Sequence, residues 1–465
     1  MKRVIEMNTK ENPMGTQPLS KLLLSLAVPA VIANLVNSLY NIVDQIFIGH
    51  GVGYLGNGAT SVAFPLTTVC MAFGLMCGLG GSANFNIALG RKEPDRARKI
   101  AGTAVSMVLT FGVIICIITN LFLEPLLLLF GATESNLDLA MAYTRITSFG
   151  IPFLMFSTGT NPLVRADGSS TYSMAAIISG AILNTILDPI FIFRFHWGIA
   201  GAAWATLISQ ILSAVILVMY FKRFKSVRFS KKDFVPDIET VSCIVSVGIS
   251  SFIFQSSTMV IQIVTNNMLR NYGEISVYGS DVSIAVAGIV TKINMIFISV
   301  IIGIVQGAQP IIGYNYGAKK YDRVKGIVRL MLTCAFVVSL AAFAVFECFP
   351  RQLMELFGEG SELYFSFGIK YIRVFLMFTI LNGIQIASTT FFQAIGKAKK
   401  GAFLSLTKQV IFLLPLLAVL PRFMGVEGVM FAAPISDFIA FATAVTLLSL
   451  ELKHMPGTAE QEGFL

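Results

Sequence analysis

Asn184 and Asp188 stand four residues apart in an apolar stretch, Ser173 to Phe193, with Pro189 directly behind them. Residues at that spacing share one face of a helix. Pro189 has no N–H to give the carbonyl of Thr185, so a single turn offers an amide oxygen, a carboxylate and a freed carbonyl. That donor set suits a hard cation or a proton; the plainer reading is a proline kink beside a structurally satisfied acid. An aspartate at the centre of a membrane helix costs roughly 2.5 to 3.5 kcal/mol, so it is retained where it faces protein, ion or water.

A second polar series lies in the first apolar run, where Asn34, Asn37, Asn41 and Asp44 follow at intervals of three, four and three, with Tyr40 one turn from Asp44. Pro29 frees the carbonyl of Ser25 near the start of the same run. Amides in such a stripe also serve as glue between helices. Thr206 and Gln210, again one turn apart, mark the sixth run. If the first, fifth and sixth helices pack together, Asp44, Asn184, Asp188 and Thr206 converge on one site. Oxygen-only ligands suit Na⁺, and two neighbouring carboxylates can equally share a proton. Tyr40, Asn37, Asn41, Gln210 and Pro29 would then support that site.

The second half of the chain differs. Gln255, Thr258, Gln262 and Thr265 or Asn266 form an uncharged stripe, Pro415 has no acid beside it, and Asp437 is the clear mid-span acid. Lys408 calls for snorkelling or an ion pair. Lys292 is too deep for snorkelling and reads as a cavity or counter-ion residue. Gln255, Gln262, Lys292 and Asp437 are therefore candidate cavity or substrate contacts.

These residues need helices long enough to hold them across a bilayer. The chain is 55% hydrophobic and only 13% charged, with a mean hydropathy of +0.76, which excludes an ordinary soluble protein. Apolar runs at 22–48, 61–89, 100–122, 144–164, 173–193, 200–221, 244–269, 283–312, 324–349, 366–392, 403–420 and 428–450 predict an all-α polytopic membrane protein of twelve transmembrane helices. Lys and Arg collect in every second connection, as at Arg91 to Lys99, Arg165, Lys222 to Lys232, Lys319 to Lys325 and Lys397 to Lys400. Arg194, Arg270, Arg351 and Arg422 lie on the opposite side. That bias predicts both termini in the cytoplasm and explains the basic balance without nucleic acid.

The chain also repeats itself. Gly90, Asp95, Arg96, Phe130, Gly131, Gly198, Gly201 and Ser209 recur as Gly317, Asp322, Arg323, Phe357, Gly358, Gly425, Gly428 and Ser436, each pair 227 residues apart (317 minus 90, 436 minus 209). Six helices per copy is an even number, so the copies enter the membrane in the same sense and flank a cavity between two pseudo-symmetric lobes. The expected organisation is a cytoplasmic tail over 1–21, lobes over 22–222 and 241–452, a basic linker over 223–240 and a second tail over 453–465. No phosphate-binding loop, paired-cysteine metal motif, signal peptide or nucleophile–base constellation is present in the pattern of residues, so neither ATP hydrolysis, a resident cofactor nor an enzyme is indicated.

The runs Leu39-Tyr40-Asn41-Ile42-Val43-Asp44, Asn184-Thr185-Ile186-Leu187-Asp188-Pro189 and Gly201-Ala202-Ala203-Trp204-Ala205-Thr206, with Pro29 fifteen residues before Asp44, resemble the multidrug and toxic compound extrusion (MATE) transporters over nearly the whole chain. The resemblance implies a V-shaped antiporter of the plasma membrane that exports cationic, amphipathic drugs against Na⁺ or H⁺. It places the ion at Asp44, Asn184, Asp188 and Thr206, a bend at Pro29 and Tyr40 beside the acid. Some relatives use acids in the second lobe, and the uncharged character of that lobe here favours the first. Function as a monomer is expected. The alternative is a lipid-linked oligosaccharide flippase of related fold, which would line its cavity with several cations where this chain offers Lys292.

Overall fold

In hydrocarbon a backbone has only itself to satisfy its N–H and C=O groups, so apolar runs of this length close as helices. The structure, a computed structural model, describes residues 12–132, 134, 136–356 and 361–456 and contains no strand among them. Ten helices are long and apolar enough to cross a bilayer, and two bent pairs bring the number to twelve. The first half comprises α1 (Leu19–Gly51), α2 (Tyr54–Gly90), α3 (Pro94–Leu121), the pair α4 (Leu137–Ser148) and α5 (Ile151–Ala166), α6 (Ser170–Pro189) and α7 (Gly198–Phe221). The second comprises α8 (Ile238–Glu274), α9 (Gly279–Gly317), α10 (Tyr321–Cys348), the pair α11 (Glu362–Phe375) and α12 (Thr379–Ala394), α13 (Ala398–Leu406) joined to α14 (Leu414–Met424) by a π turn at Thr407–Leu413, and α15 (Val426–Lys453).

The fourth and tenth spans are longer than their apolar runs and are bent, by 57° between α4 and α5 and by 45° between α11 and α12. Pro152 near the start of α5 removes a backbone donor where α4 would otherwise continue. The apolar run 144–164 took in only the end of α4 and left out its first seven residues, which carry Asp138. Phe357 and Gly358, repeat partners of Phe130 and Gly131, lie outside the described residues, as do the outer parts of both tails.

The halves meet in a symmetric way. α1 packs along α9, α8 packs along α2, and α2 and α9 touch each other. Gly90 and Gly317 sit where the repeats cross: a Cβ on Gly90 would collide with the Tyr314 carbonyl, and one on Gly317 with the Ile87 carbonyl. Tyr314 and Ile87 are themselves a repeat pair, so the two collisions are one contact seen from both sides.

Apolar packing shows where the halves join and where they part. Leu22, Leu23 and Leu26 of α1 share a core with Ile304, Val305 and Ile311 of α9 and with Phe391 and Phe392 of α12. Reciprocally, Ile244 of α8 packs into the core of α2, α3 and α5 around Cys77, Ala104 and Met155. Toward the other end, the cores around Leu127 and Ala140 and around Phe367 and Met430 each draw on one half alone. The halves are thus fused at the end bearing the basic loops and separate at the opposite end. α1 stays against α9 on both sides of Pro29, through Ala27 at Gly307, Val31 at Gly303 and Ser38 at Ser299.

Two segments tie off the basic end. The stretch before α1 is held by α9 and α10: Asn315 Nδ2 donates to the Met14 carbonyl at 2.9 Å and an Arg323 guanidinium nitrogen to the Gln17 carbonyl at 2.7 Å, while the Met14 side chain is buried. The connection from α7 to α8 is pinned by Asp167, which accepts from the Tyr220 hydroxyl at 2.7 Å and the Lys225 and Ser226 amides at 2.7 and 2.8 Å. Burial pushes the Asp167 carboxyl up despite those donors.

Candidate functional site

Small residues bring α6 and α7 together. A Cβ on Gly180 would collide with the Ser213 hydroxyl, and one on Gly201 would lie 2.9 Å from the Phe191 carbonyl carbon. With the helices that close, Asn184 Nδ2 reaches Asp188 Oδ1 at 3.4 Å and Thr206 Oγ1 at 3.5 Å. The Asp44 carboxylate of α1 comes within hydrogen-bonding reach of Asp188, and Tyr40 lies within electrostatic reach of both acids. Asn184 and Asp188 are buried, and Asp44 is half-buried.

What these atoms lack is a positive partner. Asp44 Oδ1, Asn184 Oδ1 and Asp188 Oδ2 are buried and have no hydrogen-bond partner among the described residues. A buried acceptor without a donor is costly, and two carboxylates side by side are costlier still. A small cation or a proton relieves both penalties. The donor set fits either one.

An apolar lid closes the site from the end where the halves separate. Ile48, Ile192 and Ala202 form one buried cluster, with Tyr143 packed against it. Each of the three lies one turn from Asp44, Asp188 or Thr206 respectively. Tyr143, in the part of α4 outside the apolar run, also lies beside Thr206. No spacing rule marks it, because it belongs to neither polar stripe.

The remaining candidates are dispersed. Asn34 Nδ2 donates to Gln306 Oε1 of α9 at 3.1 Å, and Asn41 donates to its own helix at the Asn37 carbonyl and is exposed. Gln210 turns its Oε1 onto Gly150 at the bend between α4 and α5. In the second half Gln255 is half-buried on α8 and Gln262 is exposed, donating to Asn266 Oδ1 at 3.1 Å. Asp437 is buried and paired: its Oδ1 meets the Lys408 ammonium at 2.8 Å and its Oδ2 accepts from Asn382 at 2.8 Å. Pairing, rather than snorkelling, accounts for Lys408.

Lys292 lines a cleft of about 470 Å³ between the halves, facing Ile42, Gln45, Ile46, Gly49, His50 and Asn57 from α1 and α2. Ile42 and Gln45 flank the position of Asp44. One helix therefore carries the cleft wall on one face and an acid of the buried site on another.

The scan of family models matches the chain at residues 29–190 and 247–419 to the family described as MatE. This chain belongs to the MATE family. Its halves match in turn, as the internal repeat requires, and as a MATE protein it is a multi-pass membrane transporter. It is 27% identical over 436 residues to the multidrug export protein MepA of Staphylococcus haemolyticus, covering 92% of this chain and 93% of that one. The Staphylococcus aureus MepA is 25% identical over 434 residues, covering 93% and 94%. Among solved structures, the outward-facing conformation of a multidrug resistance MATE transporter superposes with a TM-score of 0.89 at 24% identity, covering 96% of this chain and 99% of that one.

Proposed function

We propose that this MATE protein is a secondary active multidrug efflux antiporter that exports cationic amphipathic compounds in exchange for Na⁺ or H⁺. The ion is held in the first lobe by Asp44, Asn184, Asp188 and Thr206, with Tyr40 and Tyr143 as walls. The observation that carries this reading is the group of buried oxygens on Asp44, Asn184 and Asp188 that have no donor. The protein works as a monomer in the plasma membrane, its basic loops and both termini in the cytoplasm, which makes the separated end the outward mouth.

The shared helix supplies the coupling. A ligand shifts a two-state equilibrium only by binding the two states differently. Drug in the cleft presses on the Ile42 and Gln45 face of α1, and the ion draws Asp44, two residues on, toward Asp188 and Asn184. Each ligand therefore acts on the same rigid element from a different face. Oligosaccharide flipping is the weaker reading, since a pyrophosphate calls for several cations and Lys292 is the basic side chain among the cleft-lining residues.

Proteoliposomes loaded with a fluorescent cationic dye test the proposal, with an imposed Na⁺ gradient or an imposed pH gradient. Efflux should follow one gradient in the wild type and vanish in Asp188→Asn. Undiminished gradient-driven efflux by that variant would remove Asp188 from the mechanism. Dye that stays still in both gradients, with folded protein in the membrane, would move weight to lipid-linked substrates.

A further inference from the structure

Among the described residues, the second half's buried mid-span acid, Asp437, forms a charged cluster with Lys408 between the same two spans that carry Asn184, Asp188 and Thr206 in the first half. Asp437 of α15 is the repeat counterpart of Gln210, one turn beyond Thr206. Lys408, in the π turn after α13, is the counterpart of Ala181, close to one turn before Asn184. Both clusters therefore lie between the fifth and sixth spans of their halves. Their electrostatics differ in one respect. In the first half Asp44 Oδ1, Asn184 Oδ1 and Asp188 Oδ2 have no donor, whereas both oxygens of Asp437 are satisfied, one by the Lys408 ammonium at 2.8 Å and the other by Asn382 at 2.8 Å. The same ammonium also contacts Asn382 Oδ1.

Several features hold the ammonium there. The Lys408 carbonyl accepts from the Ser436 hydroxyl at 2.6 Å, which fixes its backbone next to Asp437, and Gln409 donates to Thr258 of α8 at 2.9 Å. Only 19% of the Lys408 side chain and 7% of the Asp437 side chain are exposed. A carboxylate so far from water needs a permanent counter-charge.

We propose that Lys408 is a tethered cation that permanently occupies the second lobe's buried mid-span acid, about one turn from the level of the first-lobe site, so that only the first lobe exchanges an ion with solution. The proposal rests on the reading of Asp44 and Asp188 as the exchanging site. Removal of the ammonium opens a new site for a small monovalent cation at Asp437 Oδ1 and Asn382 Oδ1, its remaining ligands being water.

Radiolabelled Na⁺ binding to the full-length protein in lipid nanodiscs tests this. Lys408→Ala should bind Na⁺ beyond the wild-type level, and should still do so when combined with Asp188→Asn, which removes the first-lobe site. Adding Asp437→Asn to Lys408→Ala should abolish the gain, and Lys408→Arg should behave as wild type. A monodisperse, cooperatively melting Lys408→Ala protein with no added Na⁺ binding overturns the proposal. If that variant does not fold, Lys408→Met with Asp437→Asn removes both charges at once and is read by transport. An unchanged ion-to-drug ratio supports the tethered cation, and a lower ratio means that the second lobe cycles an ion and overturns it. Unchanged ion coupling in Asp188→Asn alone would instead count against the first-lobe reading, without touching the Na⁺ gain in Lys408→Ala.

Discussion

At the scale of single residues, Thr206 is the most informative member of the site because its hydroxyl has two neighbours, Asn184 from α6 and Tyr143 from α4. A hydrogen bond from the Tyr143 hydroxyl to Thr206 in the ion-bound state would set which way the threonine lone pairs face. Tyr143→Phe deletes only that hydroxyl and keeps the ring packed with Ile48 and Ile192. A net hydrogen bond is worth about 0.5 to 1.5 kcal/mol, so the half-saturating ion concentration should rise by up to about tenfold while protein yield is unchanged. An unchanged ion dependence of dye efflux would leave Tyr143 as lid packing alone. The acids and Asn184 were legible in the sequence since charge inside an apolar run is expensive and stands out. Tyr143 and Asn382 were not, because an uncharged polar residue inside a span carries no comparable signal. The spacing of Asn34, Asn37 and Asn41 set them on a common stripe with Asp44, but spacing does not say which neighbour that stripe meets. The helices settle it, giving Asn34 to α9 and leaving Asn41 exposed.

Among the elements, α1 was legible as a span with Pro29 in it, while its long packing against α9 was not. That packing depends on contacts some 270 residues away in the chain, such as Asn34 to Gln306. The segment before α1 belongs to the same junction. Met14 is buried between the second half's core and Gly168 of the first half, and Arg323 and Asn315 grip its backbone. An opening at the basic end has to break those bonds. With Met14→Cys as reporter, Arg323→Ala should speed labelling by a thiol reagent applied from the basic side, relative to the same reporter with Arg323 intact. Equal labelling rates would mean that burial of Met14, and not the Arg323 hydrogen bonds, holds the segment closed.

For the molecule as a whole, the 227-residue repeat read from glycines and a few charged residues predicts two like halves, and the Gly90 and Gly317 contacts meet that symmetry. The openness at one end was implied by the family resemblance and not by residue pattern, since it depends on which surfaces remain unpacked after both halves have folded. Alternating access requires the fused end to separate, and polar bridges between the halves continue from there to mid-span. Ser38 and Ser299 are hydrogen-bonded across the halves at 2.6 Å, close enough that Ser38→Cys with Ser299→Cys can form a disulfide with little backbone movement. Oxidation of the double variant should stop gradient-driven efflux and reductant should restore it, while each single variant transports under both conditions. The lock should leave ion binding at Asp44 and Asp188 intact, because neither Ser38 nor Ser299 touches them. Continued efflux after complete cross-linking would show that α1 and α9 need not part at that level.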